Sequence, residues 1–280
     1  MPNVCPADYQ FLQALLYKQA GLVLDAAKEY LVEARLGPLA KKLGMESIDA
    51  LVLAAKNRSA PDLEQKIVEA MTIHESSFFR DWKPFEALRQ KVIPDLIKAR
   101  ENTRKLYFWS AASSTGQEAY SIAMQVREHF PQLSNWTITI IGTDVSASVV
   151  AQARAGAYSQ LEVNRGMPAR LLTKYMRSEG ANWVVRDDIR KMVDFRQMNL
   201  IRPWPFLPRM DVVFLRNVLI YFDAGTKRTI FSHVKEISAP DSYLFLGAAE
   251  STLGLTEEFV KDPAEGATWY RQKNRGEVTL

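Results

Sequence analysis

Cysteine is nearly missing from this 280-residue chain. Cys5 stands alone, so no internal disulfide can form, and a reducing cytoplasm is the expected home. It has no histidine near it in the chain, so an idle thiol is expected there rather than a nucleophile. No apolar run approaches the ~18 residues of a membrane span, and the N-terminus lacks a secretory pattern, so no membrane insertion is expected. Histidine is scarce too. His74, His129 and His233 are scattered without ligand spacing, which argues against a metal centre. Repeats and low-complexity stretches are absent. Net charge is only +4. Residues 1–70 carry eight Lys/Arg against nine Asp/Glu, so the basic excess sits in residues 71–280. A bias of that size suits anionic partners but is too small to indicate nucleic acid.

What remains is ordinary globular material, 47% hydrophobic and 24% charged, enough for a large domain or a medium one with a small companion. Residues 8–70 read as helices. Tyr9, Leu12, Leu15 and Leu16 recur at helical spacing, as do Val32, Leu36, Leu39 and Leu43, then Ile48, Leu51, Leu53 and Ala54. Gly21, Gly44 and Asn57 are the expected stops, and Pro38 predicts a kink or a broken boundary in the second helix. Arg35, Lys41 and Lys42 fall close together on that helix. They make either a solvated basic face or a docking face for an acidic helix. Asn57–Pro61 punctuates the chain, and Leu63, Ile67, Val68 and Met71 mark one more helix. A division into 1–70 and 71–280 follows, with Met71–Trp82 joining the two and packing its Phe78–Phe79 pair on something.

From Leu106 the pattern alternates strand and helix. Strands are expected at Leu106–Ser110, Trp136–Thr143, Val193–Phe195, Met210–Leu215, Tyr243–Leu246 and Ala267–Arg271. Helices are expected at about Glu118–His129, Ala147–Ala155 and 225–238. Between them, Gly156–Lys191 lacks strong periodicity and reads as a small β insertion. Alternation of this kind predicts a mainly parallel sheet with helices on both faces.

The stretch Leu106–Met124 runs from a strand through small residues and one glycine, Gly116, into a helix N-terminus. Doubly wound folds use that arrangement to bring a nucleotide-like ligand against backbone N–H groups. Polar residues follow each strand: Glu118, Asp144, Asn199, and Arg216 with Asn217. Asp144 suits the two hydroxyls of a ribose or, alternatively, an N-cap. Asn199 and Leu200 suit an adenine edge, or a plain turn. One such residue at each strand end favours an adenosine-containing ligand.

These residues also form a known pattern. WSAASSTGQEAYSIAM resembles the S-A-[GA]-x-S-T-G-E-E-P-Y-S signature of the CheR family, the chemotaxis receptor glutamate O-methyltransferases. The likeness continues in order through Ser76–Asp81 (SSFFRD), Gly142–Asp144 (GTD), the A-x-x-G-x-Y of Ala153–Tyr158, Asn199-Leu200, Arg216–Asp223 (RNVLIYFD) and Leu244–Ser251 (LFLGAAES). Arg35–Leu39 fits the R-L-x-x-L of that family's helical N-terminal domain. The resemblance implies a Rossmann-like class I methyltransferase sheet with a small β insertion, preceded by an all-α domain. It implies S-adenosylmethionine as methyl donor, S-adenosylhomocysteine as product, and the cytoplasmic helices of methyl-accepting chemoreceptors as partner, with a monomeric enzyme expected. Ser76 and Arg80 would close over the cofactor, beside Ala112 and Glu118 of the first turn. Asp144 would hold the ribose and Asn199-Leu200 flank the adenine, while Arg216 and Asn217 line the methionine end. Tyr221, with Arg80, would serve at the methyl acceptor.

The chain departs from the family pattern at His74 (usually Asn), Ser76 (usually Thr), Gln117 (usually Glu) and Ala119 (usually Pro). His74 is the change that would alter cofactor affinity or make it pH-dependent. No catalytic triad is visible, and none is required. A glutamate with a pKa of about 4.3 is already an anion at neutral pH. Two rival readings remain: a nucleic-acid or small-molecule methyltransferase on the same fold, and a non-catalytic S-adenosylmethionine sensor. The first lacks its usual N-P-P-Y-like turn, since Arg216–Tyr221 reads RNVLIY. The insertion looks short between Tyr175 and Val184 for a receptor-tail tether.

Overall fold

The computed structural model describes residues 4–25, 28–57, 62–262 and 269–273. Its compact units are Met1–Ile73 with Tyr221–Thr226, and His74–Ile220 with Lys227–Leu280. No single cut in the sequence yields the first of these, because it recruits six residues from far along the chain.

That first unit is built on α1 (Pro6–Ala20), α2 (Glu29–Lys42), α3 (Ile48–Lys56) and α4 (Leu63–Met71). Pro6 sits in the first turn of α1, where its missing N–H costs nothing, and Gly21 ends the helix at φ 70°. Ser47 caps α3 by accepting from the Ala50 N–H. Helix α2 continues through Pro38, so of the two expectations, a kink or a broken boundary, the boundary is corrected. Pro38 is exposed, while Val32, Leu36 and Ala40 anchor the helix on the buried side. On α3 the buried set is Leu51, Val52 and Ala55, and Leu53 is exposed. Nine residues, nearly all apolar, were too few to fix the phase. The Asn57–Pro61 punctuation lies largely outside the described residues.

In the second unit, Lys83–Ala99 forms α5 (Lys83–Ala87), a π-helical turn (Leu88–Val92) and α6 (Ile93–Ala99). Next come β1 (Lys105–Ala111), α7 (Gln117–His129), β2 (Thr137–Asp144) and α8 (Ala147–Ala155). The insertion holds β3 (Ala157–Ser159), α9 (Gln160–Asn164), α10 (Ala169–Tyr175), β4 (Met176–Glu179), β5 (Asn182–Val185) and α11 (Asp187–Arg190). It is a three-stranded antiparallel sheet, as expected, but it also carries three helices too short to show a period. The chain then gives β6 (Val193–Gln197), β7 (Met210–Leu215), α12 (Ala224–Ile237), β8 (Ser238–Leu246), β9 (Phe259–Lys261) and β10 (Trp269–Gln272).

The main sheet has the order β6-β2-β1-β7-β8-β10-β9, parallel from β6 to β8 and antiparallel beyond. The last expected strand is therefore not the edge, because β9 pairs outside it; Ala267 and Thr268 lie outside the described residues. Phe214, Phe245 and Trp269 are register partners across β7, β8 and β10, and their rings stack at 4.6 Å and 6.3 Å. Burying each such ring contributes roughly 1.5–3 kcal/mol. Parallel pairing brings Ala112, Asp144, Asn199, Arg216 and Gly247, each at or just past a strand's carboxyl end, to one edge of the sheet.

Candidate functional site

The chain turns sharply after β1. Ala112 (φ 53°), Ser114 (φ 52°) and Gly116 (φ 95°) are all left-handed, and the first two cost about 1–2 kcal/mol each. Four contacts hold them there. The Ser113 N–H donates to the Thr143 carbonyl (2.8 Å), the Ser114 N–H to Asp144 Oδ2 (2.9 Å), Ser114 Oγ to the His74 carbonyl (2.7 Å), and the Tyr158 hydroxyl to the Thr115 carbonyl (2.7 Å). Gly116 is required twice over, by its φ and because a Cβ would lie 2.8 Å from Phe195 Cζ.

Asp144 ends β2 and is buried. Its Oδ1 accepts from the Ser146 N–H at 3.1 Å, and His74 Nδ1 stands 3.9 Å from the same oxygen. Burial pushes its carboxyl above the usual range, opposed by the Ser146 amide, the His74 charge and the Ser114 amide. The cap of α8 is Ser146, accepting from Val149, so the N-cap alternative for Asp144 is corrected. With two amide bonds made, the carboxylate keeps acceptor capacity for further hydroxyl donors.

Arg216, just past β7, has a side chain only 1% exposed. Nη1 donates to Glu118 Oε2 (2.8 Å); Nη2 donates to Asp81 Oδ2 (2.7 Å) and the Arg80 carbonyl (3.0 Å). Glu118 takes a further hydrogen bond from Ser110 Oγ at 2.8 Å. Arg216 and Glu118, close together and largely shielded from water, lock each other's geometry, while Asp81 is half exposed. Arg80 turns its own guanidinium to the Glu75 carbonyl (3.1 Å). Phe79, Asp81 and Trp82 have φ of 49°, 66° and 42°, and the Phe79 N–H is tied to Ser121 Oγ at 2.9 Å. Backbone strain of this sort costs about 1–3 kcal/mol per residue and collects where geometry serves a task. Ser76 is half-buried two residues ahead of Phe78.

After β6, Asn199 Oδ1 accepts from the Ile201 N–H (3.1 Å), an Asx turn. Leu200 is buried, and its carbonyl accepts from Trp204 Nε1 (3.1 Å). Asn217 adopts φ 59° and donates its N–H to Glu250 Oε2 (2.8 Å). Asp81 and Glu250 had no role in the sequence reading, though both lie in runs quoted there. The available signal was an acidic residue at or next to the end of each run.

The structure thus gathers His74, Ala112, Glu118, Asp144, Arg216 and Asn217 near the strand ends of the second unit. Tyr221 groups instead with the first unit, half-buried, where its carbonyl accepts from the Val23 N–H at 3.0 Å. On α2, Arg35 donates to the carbonyls of Met71 (3.2 Å) and Thr72 (2.7 Å) at the end of α4, so it serves the helical unit itself. Lys41 and Lys42 are exposed. Among the described residues no group of three or more His, Cys, Asp or Glu is placed to hold a metal ion. No described helix is long and apolar enough to cross a membrane.

Residues 7–72 match the family model "CheR methyltransferase, all-alpha domain", and residues 74–267 match "CheR methyltransferase, SAM binding domain". The chain is 39% identical over 272 residues to Chemotaxis protein methyltransferase 1 of Pseudomonas aeruginosa, covering 95% of this chain and 98% of that protein. It is 37% identical to Chemotaxis protein methyltransferase Cher2 of Pseudomonas putida (90% and 93%). With Chemotaxis protein methyltransferase of Vibrio parahaemolyticus it shares 38% identity (92% and 94%).

Proposed function

The chain belongs to the CheR methyltransferase family, and from that premise we propose that it transfers a methyl group from S-adenosylmethionine to glutamate side chains of chemoreceptors. The observation that carries the reading is the row of polar groups at the sheet's carboxyl edge. There the Asp144 carboxylate retains acceptors for a diol, and the ion pair of buried Arg216 with half-buried Glu118 stands two strands away, across β1. Two buried atoms at that edge, Ser113 Oγ and Arg216 Nε, have no hydrogen-bond partner among the described residues, which suits a bound polar ligand.

S-adenosylmethionine supplies the electrophilic methyl when bound. The protein's residues then have three tasks: to hold the donor, to align the acceptor and to exclude water. Asp144 would take the ribose hydroxyls, Asn199-Leu200 the adenine, and Arg216, Asn217 and Glu118 the methionine end, with His74, Ser76, Arg80 and Ala112 completing the enclosure. Tyr221 would orient the acceptor carboxylate without taking a proton from it, the role that the family likeness gives it. Such alignment is worth up to ~7–11 kcal/mol, and drying the site helps opposite charges that neutralise each other as they react. Exposed Lys41 and Lys42 would meet the acidic receptor helices, with Arg35 keeping their helix in place.

Incubation with methyl-labelled S-adenosylmethionine and a purified receptor cytoplasmic fragment tests the reading. Carboxyl methyl esters release their label as methanol in mild alkali. Alkali-stable label would assign the methyl to another atom type, and no label would leave a binding protein.

A further inference from the structure

Glu250 follows β8 and is buried, yet no cation offsets its charge among the contacts described. Four backbone N–H groups surround it instead. Oε2 accepts from Gly247 (2.7 Å) and Asn217 (2.8 Å), and Oε1 from Val218 (2.9 Å) and Leu219 (2.7 Å). Three of these donors are consecutive residues of the loop after β7, and the fourth begins the loop after β8. They meet because Leu215 and Leu246 are register partners, so the residues just beyond them leave the sheet side by side.

Two features show that the loop is held in one shape. Asn217 is left-handed at φ 59°, a conformation that asparagine tolerates better than most residues, and its N–H is held in it by Glu250. Gly247 leaves no spare room: a Cβ there would lie 2.7 Å from Glu250 Oε2, 2.8 Å from Asn217 Nδ2 and 2.9 Å from the Asn217 nitrogen. The Asn217 amide therefore occupies the space that glycine vacates.

We propose that Glu250 is a positioning residue of the methyltransferase: by collecting the N–H groups of Asn217, Val218 and Leu219 it fixes the loop that aims Arg216 and Asn217. This rests on the reading of those two residues as the methionine end of the donor site. A carboxylate suits the task because it is acceptor-only, and amide donors to a charged acceptor bind about twice as strongly as to a neutral one. Glutamine would turn one oxygen into a donor facing two N–H groups.

The test compares wild type, Glu250→Gln, Glu250→Asp and Gly247→Ala in the full chain. Hydrogen exchange of the peptide spanning 216–220 is followed without ligand, and S-adenosylhomocysteine binding is followed by calorimetry well below each melting midpoint. Exchange at residues 217–219 is expected to accelerate in Glu250→Gln, and affinity to fall roughly tenfold, the change that follows from losing charge-assisted bonds. Glu250→Asp should recover part of both effects. Gly247→Ala, which crowds the same point without touching the carboxylate's charge, should reproduce them and stands in if Glu250→Gln fails to fold. Affinity within twofold of wild type in folded variants, with only the melting midpoint lowered, would overturn the proposal and leave a plain brace. If wild type bound no S-adenosylhomocysteine while exchange still rose in Glu250→Gln, the donor-site reading would fall and the loop-setting role of Glu250 would stand.

Discussion

The Tyr158 hydroxyl donates a 2.7 Å hydrogen bond to the Thr115 carbonyl, joining the insertion's first strand to the turn between β1 and α7. Tyr158 is fully buried and meets the edge of Phe78 at a centroid distance of 5.0 Å. One side chain therefore supports both the turn and the Phe78–Phe79 segment. Tyr158→Phe keeps the ring and orphans a buried carbonyl, a loss of about 1–3 kcal/mol. S-adenosylhomocysteine affinity is expected to drop several-fold by calorimetry. Unchanged affinity would confine Tyr158 to holding the insertion.

Donor binding should weaken on acidification from a higher pH than an ordinary aspartate would impose. The competent form of Asp144 is the carboxylate. Its pKa is raised by burial, so affinity is full above that raised value and is lost as pH falls through it, with a midpoint above about 3.9. Asp144→Asn should weaken binding by about 1–3 kcal/mol and flatten this limb. His74→Asn removes a charge that favours the carboxylate and should move the midpoint upward. A limb unchanged in both variants would assign it to another group.

Glu128 on α7 accepts from Lys174 Nζ (2.7 Å) and the Tyr175 hydroxyl (2.7 Å), and pairs with Arg170, all on α10. Burial works against its charge, but the bonds from Lys174 and Tyr175 win and hold its carboxyl below the usual range. A depressed carboxylate adds stability that is present above about pH 4.3 and is lost as pH falls through the folded-state pKa. Glu128→Gln should therefore lower the thermal midpoint by a few degrees at neutral pH. The gap should close in acid. A gap constant across pH would mean that packing, not charge, is what the substitution removes.

Receptor docking through α2 should be weak and salt-sensitive. Reversing both Lys41 and Lys42 should raise the apparent KM for receptor a few-fold at low salt, since exposed pairs contribute about 0–1 kcal/mol each. The effect should fade near 0.15 M salt, where the screening length is about 8 Å. Arg35→Ala should instead lower the melting midpoint, because it frees the Met71 and Thr72 carbonyls, and leave KM nearly unchanged. A KM effect from Arg35 alone, without Lys41 and Lys42, would reverse these assignments.

No receptor-tail tether is expected. Only Gly180 and Ala181 join β4 to β5, which leaves a tight hairpin with little loop to grip a peptide. Receptors shortened at the C-terminal tail should be methylated at the full-length rate. A large drop would show that the insertion does hold the tail.

Strand and helix positions in the α/β unit were legible because their signals are local: the apolar run of Met210–Leu215, the caps around Ala147–Ala155, the small residues of Ala112–Gly116. Locality also set the limit. Leu53 could not be phased from nine nearly all-apolar residues, and β9 is three residues long. Asp144 and Arg216 stood out from sequence because each ends a strand, where a parallel sheet presents its ligands. The partners of Arg216 lie 135 and 98 residues away at Asp81 and Glu118, and no periodicity links positions so far apart. Sequence alone therefore determined the longer strands and helices of the α/β unit, their order and the residues at the strand ends, but not the short insertion helices or β9. Tertiary structure alone decided what those residues touch. Side-chain pairing depends on strand register, and the Leu215–Leu246 register is what brings four amides around Glu250.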